Sequence, residues 1–89
     1  MYLGKVVGTV VSTRKDDNLI GCKLLLIKPL SEKLEVEGRI EIAVDTLGAG
    51  PGEVVIVSKG SAAKYALGKT VTPVDATIVG IVDTVEITV

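Results

Sequence analysis

The sequence predicts a mainly β protein: a small five-stranded, OB-like β-barrel carrying one short α-helix. Three observations lead there. Val, Ile and Leu supply 32 of 89 residues, 23 of them β-branched, against two aromatics, Tyr2 and Tyr65; small branched side chains favour pleated, half-buried strands. Five apolar runs are separated by Gly, Pro, Asp and Asn clusters that read as turns. Only Ala62–Leu67 is helix-compatible, between Ser61 as an N-cap and Gly68 as a stop. That helix falls between strands four and five, a placement equally compatible with another barrel topology.

The elements follow in order. Tyr2–Ser12 is a long β-rich run whose Gly4 and Gly8 mark bends or close backbone contacts. Asp16-Asp17-Asn18 is turn chemistry, so Lys23–Lys28 returns as the second strand of a hairpin, which Pro29 ends. Leu30–Gly38 is a charged connection in which Leu34 and Val36 suggest a short edge strand. Arg39–Val44 alternates, with Ile40, Ile42 and Val44 on one face and Arg39, Glu41 and Ala43 on the other. One of those faces meets water or a partner.

The stretch Asp45–Lys64 is densest in backbone instructions. Gly48, Gly50 and Gly52 around Pro51 specify a shaped loop, and Val54–Val57 reads as a fully buried strand. In the terminal run, Val85, Ile87 and Val89 alternate with Thr84, Glu86 and Thr88 as a strand. The same parity, followed backwards, holds Val79 and Ile81 but also Asp83, which must be paired or re-aimed by a bulge.

Composition narrows the function. A single Cys22 permits no internal disulfide, and with no secretory pattern at the start the chain reads as a reduced, cytosolic, single domain over residues 1–89. A net charge of −1, from 10 basic and 11 acidic residues, gives no electrostatic reason to bind nucleic acid or anionic lipid, and no run reaches the length of a membrane span. There is no His to activate a serine, no thiolate pair and no carboxylate cluster with ligand spacing, so catalysis, metal and cofactor binding are not expected. Ala63–Thr70, AKYALGKT, imitates a phosphate loop, but its first half is the helix candidate, so it reads as a helix stop and polar turn. The GAGPGE loop is either a tight barrel corner or a backbone surface close to a ligand, pore or subunit. Glu53 and Lys64 bracket the fourth strand as a salt bridge or as two unrelated charges.

Three segments in order, GKVVGTVVSTRKDDNLIGCKLLLIKPL, AVDTLGAGPGEVVIVSKGSAAK and PVDATIVGIVDTVEI, cover nearly the whole chain. Together they resemble the EutN/CcmL family, the pentameric vertex proteins of bacterial microcompartment shells, found in metabolosomes and carboxysomes. The resemblance implies a small barrel assembled as a homopentameric ring in the shell of a cytoplasmic microcompartment. It further implies contact with hexameric shell proteins and a structural job. Gly48, Ala49, Gly50, Gly52 and Glu53 look like the family's loop near the ring axis or a subunit interface. Ser61 to Lys64 resembles its Ser-Ser-Ala-Arg segment, with departures at Ala62 and Lys64, and a Lys lacks the bidentate fork of an Arg. The alternative is an OB-like module binding oligonucleotide or a small polar ligand. That class needs stacking aromatics and a basic groove, for which Tyr2, Tyr65 and the charge balance are poor material.

Overall fold

A computed structural model describes residues 1–69 and 71–88. Five strands are present: β1 (Tyr2–Val10), β2 (Lys23–Leu30), β3 (Glu41–Asp45), β4 (Val54–Lys59) and β5 (Ala76–Val82), with α1 (Gly60–Leu67) between β4 and β5. They close into a barrel in the order β1-β2-β3-β5-β4. All neighbours are antiparallel except β3 and β5, which pair in parallel through Val44–Thr77 and Asp45–Ile78. The predicted class, strand number and position of the helix are therefore observed.

The interior is filled by Val6, Leu25, Ile27, Val55, Val57 and Ile78, all buried. Each such burial contributes roughly 1.5–3 kcal/mol. Gly4 lets β1 and β2 close over this core: a Cβ there would stand 2.3 Å from Ile27 Cγ2. Two bulges bend the sheet. Val7 is an extra residue where Val6 pairs with Ile27 and Gly8 with Leu26, and Val79 is extra where Val57 pairs with Ile78 and Ile56 with Gly80. The second bulge breaks the parity that carried Asp83 inward; Asp83 lies past the end of β5, exposed.

Several boundaries differ from expectation for identifiable reasons. β2 runs through Pro29 to Leu30, because Pro29 sits beyond the last β3 partner, opposite Gly4, and needs only its carbonyl, which accepts from the Glu37 N–H at 2.8 Å. The edge strand near Leu34 reduces to one bridge, Leu30–Val36, since Leu34 turns back at φ 62. Val54 and Ile56 are only half-buried, because they face outward while Val55 and Val57 fill the barrel.

The helix starts at Gly60 rather than after Ser61. Gly60, at φ 62, turns the chain directly out of β4, so Lys59 occupies the N-cap without a side-chain bond and Ser61 lies in the first turn. Gly68, at φ 79, is the stop that the sequence predicts, and its N–H donates to the Tyr65 carbonyl at 3.0 Å. The expected strand over residues 84–89 does not form through Thr88; Val89, like Thr70 of the AKYALGKT stretch, lies outside the described residues.

Candidate functional site

The loop between β3 and β4 is held from beneath by a buried carboxylate. Asp45, the last residue of β3, has a side chain shielded completely from solvent. Its Oδ1 accepts from the Leu47 N–H at 2.9 Å and its Oδ2 from the Ala49 N–H at 2.8 Å. Ala49 is itself buried in the core. Lys23, the facing residue on β2, places Nζ 3.7 Å from Asp45 Oδ2 and donates to the Ala49 carbonyl at 3.2 Å. Glu53 closes the other side, where its Oε1 accepts from the Gly50 N–H at 2.6 Å and its own N–H donates to the Gly50 carbonyl at 3.1 Å.

Two further backbone bonds stitch the loop to β1: Gly52 N–H to the Val6 carbonyl at 2.8 Å, and Val6 N–H to the Glu53 carbonyl at 3.0 Å. Gly48 and Gly52 take φ of 86 and 83, where a side chain would be strained, whereas Gly50 does not. The loop is thus a rigid platform of backbone at one end of the barrel, as its glycines foretold.

Gly48, Ala49, Gly50, Gly52 and Glu53 are brought together there. Ser61 and Lys64 are not: they lie on α1, beyond the far end of β4, about 20 Å of strand away. No ion pair joins Glu53 to Lys64 among the described residues. Asp45 was missed as the organiser of the loop. The available signal was an Asp two residues before Leu47 and four before Ala49, the spacing of a side chain that caps its own turn.

At the helix end of the barrel, Lys59 is paired with Glu41 and lies 4.0 Å from Asp75. The hydrogen bond to Glu41 raises the Lys59 ammonium above its ordinary value, against a smaller opposing effect of burial. Tyr2 packs beside this cluster. Its hydroxyl is buried without a partner in hydrogen-bonding geometry, so Glu41 acts on it as a neighbouring charge. Burial first, then Glu41 and Asp75, push the phenol well above 10.0.

Both groups hold their protons more tightly in the folded chain. Their contribution is therefore complete below the unfolded values and is lost as pH rises past about 10, at up to 1.36 kcal/mol per pH unit for a fully exercised group. Thermal midpoints are expected to fall from about pH 10 upward, and Tyr2→Phe to flatten that fall. An unchanged alkaline slope in the variant would place the loss elsewhere.

The outer surface of β2 and β3 is the other distinctive feature. Ile40 and Ile42 are 52% and 50% exposed, while the alternate residue Ala43 faces the core. The predicted alternation holds only in part: Ile40 and Ile42 point out opposite Ala43, but Val44, expected on their face, is buried, and the strand begins at Glu41 rather than Arg39. Leu24, Ile42 and Val44, with Leu19, Pro73 and Val74, line an open apolar groove of about 190 Å³.

The chain as a whole is similar to known proteins. A family model described as "Ethanolamine utilisation protein EutN/carboxysome" matches residues 1–83. The bacterial microcompartment shell vertex protein GrpN of Rhodospirillum rubrum is 58% identical over 86 residues, covering 97% of this chain and 97% of its own. The carboxysome shell vertex protein CcmL of Synechocystis is 51% identical over 87 residues, covering 98% and 87%. The solved structure of GrpN, described as a pentameric microcompartment shell protein, superposes with a TM-score of 0.89 at 55% identity, over 99% of this chain and 100% of that one. Gloeobacter violaceus CcmL gives 0.91 at 42%, over 98% and 90%. The family model spans residues 1–83 and the relatives match nearly the whole chain at up to 58% identity: the chain belongs to the EutN/CcmL family.

Proposed function

We propose that this chain is a structural shell protein of a bacterial microcompartment, forming a homopentameric ring that caps a vertex of the polyhedral shell inside the cytoplasm. The observation that carries the reading is the full-length similarity to GrpN, described as a pentameric shell protein, at 58% identity. The job is geometric rather than chemical. Flat hexagonal tiles cannot close a polyhedron, and fivefold pieces at the corners supply the curvature. The partners are therefore copies of this chain and hexameric shell proteins at the ring's rim; neither nucleic acid nor membrane enters the reading.

Within the ring, the whole chain acts as one domain. The Gly48–Glu53 platform lies near the axis or a subunit boundary, where backbone with few side chains allows close approach of neighbouring copies. Ser61 and Lys64, at the other end of β4, serve a separate part of the boundary. The rigidity of the platform supports this assignment, since a loop held by six hydrogen bonds and an adjacent Lys presents one fixed surface to its neighbour.

Native mass spectrometry of the purified chain is expected to show a five-fold mass, confirmed by light scattering; a monomer at concentrations that assemble shells would overturn the reading. Glu53→Gln retains a side-chain oxygen for the Gly50 N–H. Its ring is therefore expected to weaken only through loss of charge across the boundary, an effect that high salt removes in the parent. Equal ring stability at low and high salt in both proteins would exclude a role for the Glu53 charge.

A further inference from the structure

A closed ring of identical chains needs two different patches on every copy, one for each neighbour. The apolar groove on β2 and β3 has the character of such a patch. Its rim is open in the single chain, where Ile42 is 50% exposed and Leu24 half-buried above an already buried Val44, although covering Ile42 and Leu24 is favourable. Whatever fills it must be narrow, apolar and extended.

Residues 84–88 have those properties. They follow the last residue of β5 and join no ladder within the described residues. Val85 and Ile87 nevertheless alternate with Thr84, Glu86 and Thr88, and Ile87 is 53% exposed. A strand-like alternation without a sheet in its own chain is what a peptide adding to another surface displays. The charges agree. Residues 83–88 carry Asp83 and Glu86 and no cation. Lys69 stands at the Leu19 wall of the groove, donating to the neighbouring Asn18 carbonyl at 3.2 Å. Asp75 lies in the groove's lining and would repel Glu86.

We propose that residues 84–88 of one copy lie in the Leu24–Ile42–Val44 groove of the next, with Val85 and Ile87 entering it and Glu86 toward Lys69. This docking rests on the ring reading and supplies its second patch.

The test uses two full-length chains with different tags, both carrying Cys22→Ser, one with Ile42→Cys and the other with Ile87→Cys, co-expressed and mildly oxidised. A disulfide-linked pair carrying both tags is expected. Val11→Cys, at a position 87% exposed on β1's outgoing end, replaces Ile87→Cys as the control and should link at least ten-fold less. Separately, Ile87→Glu should raise the concentration needed for half-assembly about ten-fold or more, the equivalent of losing one buried aliphatic contact. If the parent forms a ring but the Ile42→Cys and Ile87→Cys chains do not link, Val11→Cys links equally well, or Ile87→Glu assembles unchanged, the docking is overturned and the ring reading stands. A monomeric parent overturns both. Circular dichroism of each variant confirms the barrel, and Leu24→Cys replaces Ile42→Cys if that chain fails to fold.

Discussion

Asp45→Ala is expected to destabilise the chain by about 2–4 kcal/mol, because two backbone N–H groups lose their acceptor at once. The Ala49 N–H is buried and cannot turn to water, so it carries most of the cost; the Leu47 N–H is partly exposed and recovers some of its loss. Asp45→Asn should fall between, since its amide offers one oxygen and presents an N–H to a donor. Urea unfolding midpoints measure the cost, and amide exchange at Ala49 localises it. A midpoint within 0.5 kcal/mol of the parent would mean that the loop holds itself without the carboxylate. Lys23→Met should cost little by comparison, because the Lys23 side chain is half-exposed and such pairs contribute about 0–1 kcal/mol.

Gly4→Val should be at least as damaging. A Cβ at that position would stand 2.3 Å from Ile27 Cγ2, inside a fully buried core, so one strand must move or Ile27 must leave its rotamer. Overpacking of this kind costs about 1–3 kcal/mol and often more. For a domain of this size each kcal/mol lowers the melting temperature by roughly 4–8 °C. The milder Gly4→Ala, combined with Ile27→Ala, provides the decisive comparison. If the clash is the cause, the double variant should be more stable than the sum of the singles implies by about 1 kcal/mol or more; strict additivity would refute it. Gly48→Val makes a useful contrast: nothing lies within 4 Å of its Cβ, so only its φ of 86 is strained, for roughly 1–2 kcal/mol.

The order of those sensitivities was not legible in the sequence. Gly48 and Gly50 stood out because they cluster, and the loop they shape is real. Gly4 was legible as a bend or a close backbone contact, but how close became visible only with β2 laid across it. Local chemistry was read correctly where the deciding contacts were local: the Asp16–Asn18 turn and the Gly68 stop.

The remainder depended on partners far along the chain. Whether Ile42 or Ala43 faces the core is fixed by closure of the barrel, and the small Ala43 goes inside. Asp45 was read only as the first residue of the glycine-rich stretch, and its burial needs Lys23 from β2 and Ala49 from across the loop. The bulge at Val79 overturned the simple alternation of the final run, and residues 84–88 lie past Val82, whose partner Val54 is the first residue of β4. Resemblance to the family supplied what pattern could not, the ring.

The closure of β1 onto β4 also sets the timing of the molecule's formation. Tyr2 pairs with Val57, and β3 must find β5 in parallel after the helix has been made. So little of the sheet is local that the barrel is expected to fold over milliseconds to seconds. At a synthesis rate of about 5–20 residues per second, β1 waits roughly 3–10 s on the ribosome before its second neighbour emerges. Until then its apolar side is uncovered. Any surface that needs the closed barrel is therefore presented only after the slowest pairing within the chain.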